Sequence, residues 1–149
     1  MNREIKFRAK GSGNWHYGSY VHFEKKPTNS RCNINYKDFI ITNEDDGEHY
    51  YPITELSSIG LYRGLKDKNR NKIFEGDILK TPRGFIGEVV FGRAEEECTH
   101  RFFRRMVTDV FTTYGWIFKR ADGFTIAIDD EILQGELIGN VTDNPELMK

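Results

Sequence analysis

The chain has 149 residues, 38% hydrophobic and 13% aromatic, with 22 basic and 23 acidic side chains and a formal net charge of −1. That length fits a single domain over residues 1–149 with a real core, and the near-neutral charge provides no global field toward nucleic acid or a membrane. No stretch approaches a membrane span, and the opening MNREIKFRAK is too polar for a secretory signal, so a cytoplasmic location is expected.

Charge distribution says more than the total. Residues 1–74 carry 13 basic and 9 acidic side chains, and residues 75–149 carry 9 and 14. Such asymmetry marks a binding face or head-to-tail association, unless folding sets the halves side by side and cancels it. Cys32 and Cys98 have no CxxC or Cys-His spacing for zinc, so two reduced thiols are expected.

Along the chain, Glu4 to Lys10 alternates charged and apolar residues, the period of a strand with one wet face. Gly11 to Asn14 is turn chemistry, and Trp15 to Phe23 is aromatic and extended in character. Lys25 to Asn35, with Pro27, reads as a surface loop. Phe39 to Thr42 is a short strand running into the acidic loop Glu44 to Glu48. Strands at Ile59–Arg63 and Asn71–Phe74 flank the polar turn Asp67–Arg70. Strands at Ile78–Lys80 and Phe85–Phe91 flank Pro82-Arg83-Gly84, and strands at Trp116–Lys119 and Phe124–Ile128 flank Ala121-Asp122-Gly123. Leu137–Val141 closes the series. Many short strands punctuated by glycine predict a mainly β fold, either a small, partly open, SH3-like barrel of antiparallel strands or a pair of packed sheets.

Glu95 to Asp109 departs from that pattern. Acidic residues come first and arginines later; Cys98, Phe102 and Met106 fall four apart, and Glu97 stands four before Arg101. This predicts one short helix near residues 95–107, although the β-rich run Val107 to Thr113 competes for its end.

Three blocks together resemble the YopX family of phage and prophage proteins. They are Arg3 to Ala9; Gly64-Leu65-Lys66-Asp67-Lys68-Asn69 with Lys72-Ile73 and Glu75-Gly76-Asp77-Ile78; and Ile138 to Val141 with Asp143 to Leu147. Their order matches the family from end to end. Lys10 stands where the family pattern has Trp, and Arg70 where it has Gly, at a turn position whose positive φ disfavours arginine. The resemblance implies a β-rich, barrel-like fold carried on mobile elements. It transfers no activity and no catalytic residue.

The family motif residues Gly64, Lys66, Asp67, Asn69, Glu75, Gly76 and Asp77 have a structural explanation. Asp and Asn bond their own backbone in turns, and glycine relieves crowding where strands bend. Neither the Glu44–Glu48 loop nor Asp129-Asp130-Glu131 has calcium-loop spacing, and of the four histidines only His49, beside the acidic loop, has a carboxylate neighbourhood, without catalytic or metal spacing, so no metal and no cofactor is expected. No nucleophile elbow, zincin, Walker or dinucleotide motif occurs, and the chain is read as not an enzyme.

Two surfaces are candidates for binding. Lys6, Arg8, Lys10, Trp15, Tyr17, Lys25 and Lys26 combine basic and aromatic character, as a single-strand nucleic-acid surface would. Arg101, Phe102, Arg104 and Arg105 form a second cluster, suited to a protein interface. The expected function is a phage or prophage accessory protein acting as a non-catalytic interaction module, on a protein partner or on itself. The alternative is nucleic-acid binding through the N-terminal surface.

Overall fold

The computed structural model describes residues 6–24 and 37–149. The chain is mainly β, 66% strand and 6% helix, in two antiparallel sheets with no closed barrel. It divides into two compact units, Met1–Leu65 and Lys66–Lys149. The charge opposition of the two sequence halves dissolves at that boundary. Residues 1–65 carry nine basic and eight acidic side chains, residues 66–149 thirteen and fifteen.

In the first unit, β1 (Lys6–Gly11), β2 (Asn14–His22), β3 (Asp38–Glu44), β4 (Gly47–Pro52) and β5 (Glu55–Lys66) stand in the order β4-β3-β2-β1-β5. Neighbours run antiparallel. Ala9, Ile40 and Ile53 form the buried cluster, with Phe7, Tyr20 and Ile59 packed against it. β1 pairs on both edges, with β2 and β5, and its register with β2 sets Trp15 opposite Lys10, beside Arg8. Arg8, expected on a wet face, is only 7% exposed, with its guanidinium 4.7 Å from the centre of the Trp15 ring. Register with β5 shifts between Arg8 and Lys10. There the Lys10 N–H donates to Ser58 Oγ at 2.7 Å, and that hydroxyl donates to the Glu55 carbonyl. The bulge therefore leaves no backbone donor stranded at Lys10.

The second unit holds β6 (Lys72–Phe74), β7 (Asp77–Lys80), β8 (Ile86–Phe102), β9 (Arg105–Arg120), β10 (Thr125–Ala127), α1 (Asp130–Leu133) and β11 (Glu136–Asn140). Its sheet runs β10-β9-β8-β7-β11. Ile78, Leu79, Val89, Ile117 and Phe118 are fully buried. The expected turns close β7 to β8 and β9 to β10. The Gly84 N–H donates to Thr81 O, and the Gly123 N–H to Arg120 O.

The helix expected near residues 95–107 is not there. That segment ends β8, turns at Phe103-Arg104 and begins β9. The helical spacing of Cys98, Phe102 and Met106 is overridden by sixteen consecutive cross-strand pairs, from Gly87↔Arg120 to Phe102↔Arg105. The β-branched residues Val107, Thr108, Val110, Thr112 and Thr113 favour strand on the returning side. Among the described residues the α-helix that does form is Asp130–Leu133, capped by the Asp129 carboxylate, which accepts from the Ile132 N–H at 3.0 Å.

Candidate functional site

From Lys66 onward the family motif folds into two adjacent turns of the second unit. Asp67 is 5% exposed. Its Oδ1 accepts from the Asn69 and Asn71 N–H groups at 2.9 and 2.8 Å. Its Oδ2 accepts from Asn71 Nδ2 and, seventy residues on, from the Leu137 N–H at 3.1 Å each. Burial alone would push this carboxyl up, but the Leu137, Asn71 and Asn69 donors outweigh it and hold Asp67 below the usual carboxylate range. Arg70 adopts φ +65° here, so the left-handed turn survives without the family glycine. In the next turn Asp77 is 1% exposed and accepts from the Phe74 N–H at 2.8 Å. Gly76, at φ +87°, donates to Val89 O and accepts from the Val141 N–H. Gly64 also has positive φ, while Lys66 and Asn69 are exposed and Glu75 is half-buried. Burial pushes the Glu88 carboxyl up; Lys119 opposes this and Glu75 reinforces it. Asp67 and Asp77 are thus each tied to their own turn.

The hairpin of β8 and β9 differs in every respect. β7 pairs with β8 only at Ile86–Glu88, and β10 with β9 only at Ile117–Lys119. Ala94 is the last fully buried position. Beyond it, eight cross-strand pairs from Glu95↔Thr112 to Phe102↔Arg105 form an arm about 27 Å long at ~3.4 Å per residue. All of its residues are exposed except the half-buried Glu96 and Val107. Phe102, Phe103, Met106, Val110 and Phe111 are exposed along it, with Tyr114 just below. Phe103 is 85% exposed at φ +55°, a turn position where glycine is favoured.

Acidic groups sit at the base of the arm and basic groups at its tip. Glu95 is ion-paired with Arg93, and Glu96 accepts from the Ala127 N–H at 3.1 Å. On a helix Glu97 and Arg101 would be one turn apart; on a strand four residues span about 13 Å. Among the described residues, Arg101, Arg104 and Arg105 therefore have no ion-pair partner. The expected interface residues Arg101, Phe102, Arg104 and Arg105 come together at the tip. Phe103, Met106, Val110 and Phe111 extend that surface, and the β-rich run Val107 to Thr113 was the signal for the returning strand.

The family model described as YopX protein matches residues 6–149, both units and the arm included. The chain belongs to the YopX family. No curated protein is similar enough to stand as a relative. In this YopX chain the N-terminal candidates scatter in exposure. Lys6, Lys10 and Trp15 are half-buried, Arg8 is buried, Tyr17 is exposed, and Lys25 and Lys26 lie outside the described residues. His49, Asp46 and Glu44 offer ligand atoms within 4.8 Å of one another at the β3–β4 turn. His49 already bonds Asp46 at 2.7 Å, which lifts the imidazole above its ordinary value and lowers the carboxyl. No described helix is long and apolar enough to cross a membrane.

Proposed function

We propose that this YopX protein is a non-catalytic accessory protein of a phage or prophage that acts by docking its β8–β9 arm onto protein. The observation carrying this reading is the arm's exposed surface. A two-stranded hairpin alone is marginally stable in water. This one leaves aromatic side chains exposed and ends in an arginine-rich tip. Arginine and aromatic residues carry most of the binding energy at protein interfaces. Neither strand of the arm has a second neighbour among the described residues, so each offers backbone donors and acceptors for strand addition.

Site-directed photo-crosslinking tests this. A benzoylphenylalanine at Phe111 or Tyr114 should yield covalent protein adducts, with the purified chain or with host extract. The same group at the exposed Tyr50 of β4 should not. Arm positions that give no protein adduct, or give adducts with nucleic acid alone, would overturn the reading.

A further inference from the structure

We propose that the partner of the arm is a second copy of this chain, the two β8 strands pairing edge to edge and antiparallel about a two-fold axis at Cys98. The proposal rests on the reading of the arm as an interaction element and names its occupant. Charge decides it. The β8 strand carries Glu95, Glu96 and Glu97 toward the base, and His100 and Arg101 toward the tip. Within one chain Glu95 pairs with Arg93 and His100 lies 3.5 Å from Asp109, both pairs at the exposed surface, while Arg101 has no ion-pair partner among the described residues. An antiparallel copy reverses that order, which is what a self-complementary, isologous interface requires.

The register follows from the same residues. A two-fold axis perpendicular to the sheet keeps each side chain on its own face, so only registers that centre on a residue are allowed. Centring on Cys98 sets Glu95 opposite Arg101 and Glu96 opposite His100, each twice by symmetry. Ala94 then faces Phe102, Glu97 faces Thr99, and no like charges meet. Centring on Glu97 would set that glutamate against its own copy and Arg93 against Arg101. Centring on Thr99 keeps only Glu97 opposite Arg101.

The pairing would satisfy the β8 edge from Ala94 to Phe102, where β9 is the only strand paired with it among the described residues. It would also bring two exposed Cys98 side chains together on one face. Directly opposed residues of an antiparallel pair have Cα atoms about 4.5–5.5 Å apart, inside the range a disulfide spans.

The test uses the full chain carrying Cys32→Ser, so that Cys98 is its one thiol. Light scattering on a sizing column should give twice the chain mass at micromolar concentration, with less dimer as salt rises. Diamide, which takes up the two thiol hydrogens as the S–S bond forms, should convert the dimer to a covalent pair. Glu95→Arg or Arg101→Glu alone should weaken association by about tenfold or more, since each change places like charges opposite twice. The double swap Glu95→Arg with Arg101→Glu should restore it. A monomer at all salt concentrations, or a dimer indifferent to both single reversals and giving no Cys98 disulfide, overturns the pairing. Arm crosslinks to a different protein alongside such a result would leave the docking reading standing and remove only this partner. Absence of any arm crosslink would remove both.

Discussion

The Asp67 turn and the tip of the β8–β9 arm each place an ordinary L-residue in left-handed backbone, Arg70 at φ +65° and Phe103 at φ +55°. Their surroundings are opposite. At Asp67 every unusual feature has an internal explanation: one carboxylate collects four donors, including Leu137 from seventy residues away. At the arm tip the arginines and aromatics make contacts that account for little of their presence, and Phe103 is almost wholly exposed. Where a residue type is explained by bonds within the fold, stability is sufficient reason for it. Where it is not, as at the arm, the proposed docking supplies a reason from outside the chain.

The largest effect should come from breaking the satisfied region. Asp67→Ala would leave three backbone N–H groups and the Asn71 amide without their acceptor. At roughly 1–3 kcal/mol for each buried donor left unsatisfied, with part recovered by water, the loss should be about 3 kcal/mol or more. Urea denaturation reads it directly, and an unchanged midpoint would show that the turn is not the anchor described. The same bonds give a pH dependence. Because the folded carboxyl sits below its ordinary range, its stabilisation is complete above the ordinary aspartate value near 4 and is lost as pH falls through the folded value. The variant should show less acid destabilisation than the parent.

The reverse experiment is made on the arm. Replacing Phe102, Phe103 and Phe111 with serine removes exposed apolar surface and no buried contact of the core. Folding stability of the isolated chain should change by no more than ~0.5 kcal/mol per site. Association through the arm should fall by about a hundredfold, as expected where interface anchors are truncated. Sedimentation equilibrium and thermal melting of the same samples separate the two effects. A large drop in monomer stability would mean that the arm belongs to the core after all.

These two regions also differ in how well the sequence announced them. The Asp67 block, the Pro82–Gly84 and Ala121–Gly123 turns and most of the strands were legible because local chemistry fixes them. Turn residues bond their own backbone, and apolar runs mark a buried face. Hydrophobic period, however, reports burial on one side. The arm from Glu95 to Phe111 has almost no buried side, so it carried no strand period, and a chance four-residue spacing of Cys98, Phe102 and Met106 imitated a helix. Arg8 failed in the opposite sense: alternation placed it in water, but the Trp15 ring of the neighbouring strand lies over its guanidinium. The register of β1 with β2, which sets Trp15 opposite Lys10 and so beside Arg8, decides that, and register is not a local property. The cluster at Arg101 to Arg105 stands out by composition alone, while its placement at the tip of a hairpin does not.

A smaller test compares the two left-handed residues. Arg70→Gly should raise stability by about 1 kcal/mol or less, since glycine relieves the left-handed strain but loosens the unfolded chain. Phe103→Gly should bring a similar gain in the stability of the hairpin and weaken association at the same time. A gain at both sites without loss of association would remove Phe103 from the interface.

The smallest effect belongs to the β3–β4 turn, which is satisfied internally yet exposed. The Asp46 bond raises His49 and lowers Asp46 itself. The histidine's contribution is fully present below its ordinary value near 6.5 and is lost as pH rises through the raised folded value. The aspartate's contribution is present above its ordinary value near 4 and is lost as pH falls through the lowered one. The contact is therefore complete only between those two ordinary values. NMR titration of the His49 ring should show a midpoint above that of an unpaired histidine, and Asp46→Asn should bring it down toward 6.5. If the midpoint does not move, the 2.7 Å contact is not held in solution, and this turn is no better satisfied than the arm.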